Sequence, residues 1–400
     1  MPRLALVLAL LLTFCAWARA QGYATKHVVV VVIDGARYSE TLGDTSYANC
    51  PRMGQLMAPL GARAQCWNDG VTITIPGHAA ILCGVYQALA NDGSERPHLP
   101  TLFEYYRKST GASSAQTWFL AGKTKLAVMS NSDHLAYGAD YAAQISVDQP
   151  NDTGVMTVAE ARLLSDHPAI LAINLADTDR IAHTGNWTGY LGTLRVADSL
   201  VYDLWTKIKA DTALAERTTL FVTNDHGRHD DAHGGFQNHG DGCDGCRHVE
   251  LLVMGPDSKQ GYVSGTRMQS VDIVSTCGRL LGIPTPYAAD RVMSDLLLSD
   301  VDVGARPVPS RLAFAPPVPN PSRGAVTLLL EVPGSGALLV DVLDAQGRRV
   351  ALLEQGAVGP GRKLISWTGT TRSDRRAAAG TYFVRARMHG QQASTRIILR

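Results

Sequence analysis

Residues 27–35 read HVVVVVIDG. Six β-branched residues in an unbroken run fit a strand covered on both faces, because a half-exposed strand would alternate with polar residues. The run ends abruptly at Asp34-Gly35, an acid followed by the residue that turns most readily. Three further stretches repeat the pattern: AILAINL (169–175), TTLFVT (218–223) and VELLVMG (249–255). Helix-like LPTLFEYYRKS (99–109) and TLRVADSLVYDLWTKIKA (193–210) lie among them. Apolar strands alternating with helices predict an α/β unit, a mostly parallel sheet flanked by helices.

Outward from that core the composition changes twice. Residues 1–20 open with Arg3, run apolar from Leu4 to Phe14 and end in Ala18-Arg19-Ala20, the pattern of a cleaved signal peptide. The apolar run is too short for a membrane span, which needs about 20 residues, and no later segment supplies one. The expected location is therefore secreted, periplasmic or cell-surface. At the other end, the proline burst GARPVPSRLAFAPPVPNP (304–321) suits neither helix nor central strand. It sets the boundaries: an α/β unit over 21–305, a linker over 306–318 and a second unit over 319–400. In the second unit AVTLLLEV, ALLVDVLDA, KLISWTG, TYFVRARM and STRIILR are short strands separated by turn signals, which predicts a small all-β sandwich.

Charge divides along the same boundary. Residues 21–305 carry 21 Lys and Arg against 31 Asp and Glu, and residues 306–400 carry 14 against 5. An acidic unit that handles an anionic substrate needs something other than surface charge to attract it, and bound cations would serve. The basic excess downstream reads as arginines scattered over a solvated sheet, not as a nucleic-acid surface. Removal of the leader takes Cys15 and leaves six cysteines, an even number compatible with disulfides in an exported chain. Cys243-x-x-Cys246 is read as a short structural bridge in preference to half of a zinc site, since no second CxxC completes a four-thiolate cage.

The residues just beyond each strand carry the chemistry. The first strand ends at Asp34, the second leads to ADTDRIAH with Asp179 and His183, and the third leads to NDHG with Asp225 and His226. Ligands of open α/β sheets bind outside the carboxyl ends of the strands. Each acid or histidine alone reads as a helix cap or a packed side chain. Together, carboxylates and imidazoles suit Zn²⁺ or a similar ion, and two clusters suit a two-metal site.

Asp34-Gly, Thr74-x-Pro-x-His78, Asp179-x-x-x-His183 and Asp225-His226-Gly, in this order, resemble the alkaline phosphatase superfamily over roughly residues 27–300, most closely its nucleotide pyrophosphatase and phosphodiesterase branch. The resemblance implies a metal-dependent phosphoric-ester hydrolase with two divalent ions, Zn²⁺ first and Mn²⁺ second. It implies Thr74 as nucleophile, with Asp34, Thr74, Asp225 and His226 on one ion and Asp179, His183 and a later histidine on the other. Residues 226–248 hold five histidines; His239 in NHGDG is the choice for that ligand, with His233 and His248 as alternatives. The chemistry agrees, because a threonine hydroxyl is a poor nucleophile until a cation lowers its pKa. Pro76 and Gly77 are expected to turn the chain into a helix opening near His78, whose free N–H groups favour phosphate oxygens. Thr72 is the competing hydroxyl. Asn91 and Lys123 are candidates for holding phosphate oxygens, with Lys125 or Arg37 as further cations for a small phosphate-ester substrate.

Sulfatases of that superfamily need Cys or Ser where Thr74 stands and Arg where His78 stands. A sulfatase-like hydrolase, or a non-catalytic binding protein on the same scaffold, is therefore the weaker reading. The tail, with NPSRG, ISWTGT and AGTYFVRAR, resembles an Ig-like module of the flagellar hook-capping or secretion-sorting type, implying attachment or export and no catalysis.

Overall fold

The structure, a computed structural model, describes residues 22–298, 309–317, 320–373 and 375–400. The leader and the two ends of the expected linker, residues 306–308 and 318, lie outside the described residues. The first unit runs β1 (His27–Ile33), β2 (Ala62–Trp67), α1 (Thr74–Cys83), α2 (Leu102–Thr110), β3 (Thr117–Ala121), β4 (Gln144–Ser146), α3 (Asp152–Asp166) and β5 (Ile170–Leu175). It continues through α4 (Asp177–His183), α5 (Trp187–Ala210), β6 (Thr218–Thr223), α6 (Asp244–Arg247), β7 (His248–Val249), β8 (Leu251–Met254), β9 (Tyr262–Gln269) and α7 (Asp272–Leu281).

These strands form one sheet ordered β4-β3-β5-β1-β6-β8-β2-β7, with β9 also paired to β2. The five strands from β4 to β6 are parallel; β8 then runs antiparallel to both β6 and β2. Strand β1 sits at the centre, and alternate residues serve opposite faces. Val28, Val30 and Val32 join the apolar layer that includes Ile75, Phe103 and Ile273 from α1, α2 and α7. Val29, Val31 and Ile33 join the layer that includes Val155, Leu194 and Val201 from α3 and α5. Burial on both faces is why β1 tolerates no polar residue after His27, and each buried Val contributes roughly 1.5–3 kcal/mol.

The helices follow local rules. In α2, Thr101 and Glu104 form a capping box and Gly111 closes the helix in the left-handed conformation. In α5, Tyr190, Leu194, Ala197, Val201, Leu204 and Ile208 are buried at helical spacing while the opposite face meets solvent. Helix α1 is buried at every residue and opens at Thr74 itself, four residues before the position expected from the sequence. Proline sits comfortably in a first turn, where its missing N–H costs little, so Pro76 extends the helix start back to Thr74.

The second unit comprises β10 (Ala313–Phe314), β11 (Val326–Val332), β12 (Gly336–Leu343), β13 (Arg349–Val358), β14 (Gly361–Trp367), β15 (Gly380–Met388) and β16 (Gln391–Leu399). Two antiparallel sheets, β10-β11-β14 and β13-β12-β15-β16, share one apolar cluster around Leu328, Val340, Trp367, Val384 and Ile397. Strand β10 corrects the linker assignment. It falls inside 306–318, where the proline-free SRLAF pairs at the sheet edge against Leu330 and Glu331, and Leu312 is buried beside it.

Candidate active site

The register of the parallel strands aligns their exits. Ile33 pairs with Leu175, Val32 with Thr223 and Ala121 with Asn174, so Asp34, Lys123, the start of α4 and Asp225 leave the sheet at one edge. Helix α1 delivers Thr74 to the same place. Asp34, Asp225 and His226 are fully buried, Thr74 and Asp179 nearly so. Thr72, the competing hydroxyl, is also buried, so neither threonine hydroxyl is surface-exposed.

Lys123 occupies the centre. Its Nζ donates to Asp34 Oδ1 at 2.8 Å, to Asp179 Oδ2 at 2.7 Å and to Thr74 Oγ1 at 3.2 Å. Burial works against its charge, but Asp34, Asp179 and Asp225 raise its pKa regardless. Asp34 is itself raised, by burial and then by the Asp225 charge. Burial pushes Asp225 and Asp179 the same way. Neighbouring His226 and His78 nevertheless hold Asp225 low, and His183, Lys123 and Arg228 do the same for Asp179. Three carboxylates crowd into one low-dielectric site, an arrangement that demands cations.

The imidazoles are oriented by backbone carbonyls. His226 Nδ1 lies 2.8 Å from Gly227 O and His239 Nδ1 lies 2.9 Å from Thr72 O, which assigns the proton to Nδ1 and leaves Nε2 a bare lone pair in both. His226 Nε2 faces Asp34 Oδ1 at 3.7 Å and Asp225 Oδ2 at 3.4 Å. His239 Nε2 faces His183 Nε2 at 3.2 Å and Asp179 Oδ1 at 3.5 Å. His226 Nε2 and Asp225 Oδ2 are buried without a hydrogen-bond partner among the described residues. Lone pairs converging this closely repel unless a cation lies between them, so the donor set fits metal ions. Burial beside His226 lowers His239 to about 3, which keeps it in the neutral form that ligation requires.

All seven sequence-derived ligand candidates, Asp34, Thr74, Asp179, His183, Asp225, His226 and His239, therefore meet around this edge. The other two candidate histidines go elsewhere. His233 Nδ1 pairs with Asp230 at 2.7 Å, and His248 stacks between Tyr38 and Trp67, with ring centroids 3.9 and 4.5 Å away. Asn91 lies beside the nucleophile candidate: its Oδ1 accepts from Ile75 N at 2.9 Å, which leaves the amide NH₂ as its free donor group. That bond, the proline at 76 and the Gly77 N–H donation to Ile73 O use up much of the first-turn donor set expected to meet phosphate. Lys123, Lys125 and Arg180 line one shallow surface depression of about 420 Å³. Arg37 does not join them; its guanidinium is committed to Glu40, Asp231 and the carbonyl of His229.

Two site residues escaped the sequence reading, Asn174 and Arg228, and a third, Gly35, reads there only as a turn. Asn174 Nδ2 donates to Asp34 Oδ2 at 2.9 Å and to His78 Nε2 at 3.1 Å, and His78 Nδ1 in turn donates to Thr74 O at 2.8 Å. The signal for Asn174 was one polar residue inside an apolar strand. Arg228, fully buried, donates through Nη2 to both the carbonyl and the carboxylate of Asp179. Gly35, at φ +67°, allows the sheet edge and α4 to close, since a Cβ there would meet Asp179 Oδ1 at 2.9 Å.

Residues 26–270 match the Metalloenzyme superfamily. The chain belongs to that superfamily. Divalent metal ions are accordingly its cofactors, and the convergent donors described above are where this chain can hold them. Superfamily relatives and structural neighbours span several chemistries. A phosphopentomutase of Herpetosiphon aurantiacus is 27% identical over 132 residues, which span 33% of this chain and only 30% of the mutase. Murine ectonucleotide pyrophosphatase/phosphodiesterase 5, solved as an inactive variant in complex with AMP, superposes with a TM-score of 0.53 at 14% identity, covering 68% of this chain and all of that one. The alkaline phosphatase PafA gives 0.51 at 13%, covering 68% and 99%. A 2-O glycosaminoglycan sulfatase, BT1596, gives 0.54 at 13%, covering 86% and 85%. At these identities the structural neighbours establish the fold. Two other expectations meet the structure here. All six cysteines after the leader are free thiols, so the expected Cys243–Cys246 bridge is not formed. Among the described residues no helix is long and apolar enough to cross a membrane.

Proposed function

We propose that this chain is an exported, metal-dependent phosphoric-ester hydrolase with Thr74 as its nucleophile and a phospho-threonine intermediate. The observation that carries the proposal is the buried Thr74 hydroxyl, set beside Lys123 within a ring of three carboxylates and three imidazoles. One ion would be held by Asp34, Thr74, Asp225 and His226, the other by Asp179, His183 and His239; mixed oxygen and nitrogen donors favour Zn²⁺, with Mn²⁺ second. Bound there, the ions lower the pKa of a hydroxyl and offset phosphoryl charge. The protein's own groups do the positioning. Helix α1 fixes Thr74 at its first turn, and His78 holds the Thr74 carbonyl through Nδ1–H. The Asn91 amide presents its NH₂ to a non-bridging phosphate oxygen, which is worth most in a buried site, while the Lys123 ammonium, its three N–H groups given to Asp34, Asp179 and Thr74, holds the nucleophile beside the carboxylates. The phosphoryl group passes to Thr74 Oγ1 as the hydroxyl loses its proton and the P–O bond to the leaving alkoxide breaks, the proton balancing the alkoxide as alcohol; water then cleaves the phospho-threonine and releases phosphate.

Threonine at position 74 speaks against a sulfatase, which needs a Cys or Ser there, and an intact nucleophile among ligand-type residues speaks against a pure binding protein. Export rests on the residue 1–20 leader, and the basic second unit is assigned to surface attachment or secretion. The test uses nitrophenyl phosphate mono- and diesters with the mature, zinc-loaded protein. Thr74→Ala abolishes turnover while bound metal is largely retained. Activity equal to wild type in that variant removes Thr74 from the mechanism.

A further inference from the structure

A second group of metal-type side chains lies outside this site, in the loop between β6 and β7. His229, Asp241 and Cys246 place one ligand atom each within 4.8 Å of one another; Cys243, which clusters with Asp230 and His233, also interacts with Asp241 and Cys246. The Cys243 N–H donates to Asp241 Oδ1 at 2.9 Å, and the thiols of Cys243 and Cys246 approach each other and the same carboxylate. His229 Nε2 lies 3.3 Å from Asp241 Oδ1 yet makes no hydrogen bond, although the nitrogen is buried. The neighbouring acid, Asp230, is already used: its Oδ1 accepts from Ala232 N, His233 N and His233 Nδ1.

The geometry points to a structural zinc site, distinct from the catalytic edge, held by His229, Asp241, Cys243 and Cys246. Four mixed sulfur, nitrogen and oxygen ligands, two of them in a Cys-x-x-Cys turn, match tetrahedral Zn²⁺. The partners missing from the sequence pattern are supplied by an imidazole and a carboxylate instead of a second Cys pair. Binding releases the two thiol protons and leaves thiolates on the ion. Regular structure between Asp225 and His248 is limited to one short 3₁₀ turn and the four-residue α6. The loop's closure instead relies on cross-ties such as Gly227 N to Cys246 O at 2.8 Å and His229 N to Asn238 O at 2.9 Å. Because His226 and His239 belong to the same loop, an ion here steadies the segment that carries both.

The test counts metal in the mature protein after dialysis and compares the Cys243→Ser/Cys246→Ser double variant. The variant must lose one zinc ion per chain. Cobalt-reconstituted wild type must show thiolate-to-metal charge-transfer absorption that the variant lacks, a signal the sulfur-free catalytic cluster cannot produce. That readout separates this inference from the phosphoesterase reading, which fails or stands on Thr74→Ala. Should the double variant not fold, His229→Gln must release the same ion. An unchanged metal count overturns the site. So does a purified chain whose mass is two hydrogens low, with a peptide map linking Cys243 to Cys246.

Discussion

Gly77→Ala tests whether the approach of α1 to the Asp225 turn sets the geometry of the site. A Cβ built at Gly77 meets the Asp225 carbonyl oxygen at 2.5 Å and its carbonyl carbon and Cβ at 2.9 Å each. Real Cβ contacts essentially never fall below 3.0 Å, and ordinary contact starts at 3.4 Å, so the two backbones must part by about 0.5 to 0.9 Å. Neither side yields easily. The Asp225 carbonyl accepts from Asn68 Nδ2 at 2.7 Å, and Gly77 N donates to Ile73 O at 2.9 Å as the first bond of the helix. Overpacking of this kind costs about 1–3 kcal/mol of stability. The displacement falls between the element bearing Thr74 and the one bearing Asp225 and His226. A misplacement near 1 Å lowers rate on the order of 100-fold, so kcat/KM should fall roughly 30- to 100-fold while the fold persists. The assay pairs kcat/KM on a nitrophenyl phosphate ester with thermal unfolding and metal content. Wild-type kcat/KM with an unchanged Tm would refute the argument, as would an activity loss that merely tracks the unfolded fraction.

Arg228→Gln removes the buried guanidinium that fixes the Asp179 carboxylate, and loss of such an outer partner should weaken metal binding about 10- to 100-fold, read by titration with a competing chelator; unchanged affinity would mean Asp179 is oriented by other contacts. Glu250, fully buried, is pushed up to about 7 by burial, with Asp198 adding to the rise and Thr41 opposing it. Its folded pKa lies above the ordinary 4.5, so the native state binds the proton more tightly and stability is lost as pH rises from about 4.5 to 7. Glu250→Gln should remove up to roughly 3 kcal/mol of that decline, measured as guanidinium unfolding across the window; parallel wild-type and variant profiles would refute it.

The sequence made the central strands legible because burial on both faces leaves mostly apolar residues, without exception after His27 in β1 and with Asn174 or threonines as the few polar positions in β5 and β6. It hid β2 and β9, whose residues ARAQCW and YVSGTRMQ mix buried and exposed positions. It hid β13, most of whose side chains reach solvent. Nor does composition encode strand direction, and so the antiparallel β8 within a mostly parallel sheet was invisible. At the site, the strand-end acids stood out through position alone. Lys123 was marked only as a candidate for phosphate oxygens; its place between Asp34 and Asp179 is set by the sheet register, which no local pattern shows. Asn174 and Arg228 act only through neighbours distant in the chain, and no local pattern marks such partners.

The five histidines of residues 226–248 show what the fold adds to spacing. Sequence marks His226 by its motif and ranks His239 ahead of His233 and His248; what the fold adds is which atom each imidazole gives away. His226 and His239 give Nδ1–H to backbone carbonyls that cannot move, which fixes the ring and aims Nε2 at carboxylates. His233 gives its Nδ1 to Asp230 at the surface, and His248 is held by ring stacking. His229 has a buried Nε2 without a hydrogen bond, but its nearest acid is Asp241, beside two thiols, and not one of the three carboxylates around Thr74. A ring whose proton is tied to the main chain is neutral and rigid, the state a cation requires, whereas a ring paired to a mobile carboxylate gains its proton instead. At the catalytic edge the choice among these histidines thus rests on backbone carbonyls of Thr72 and Gly227, which carry no side-chain signature at all.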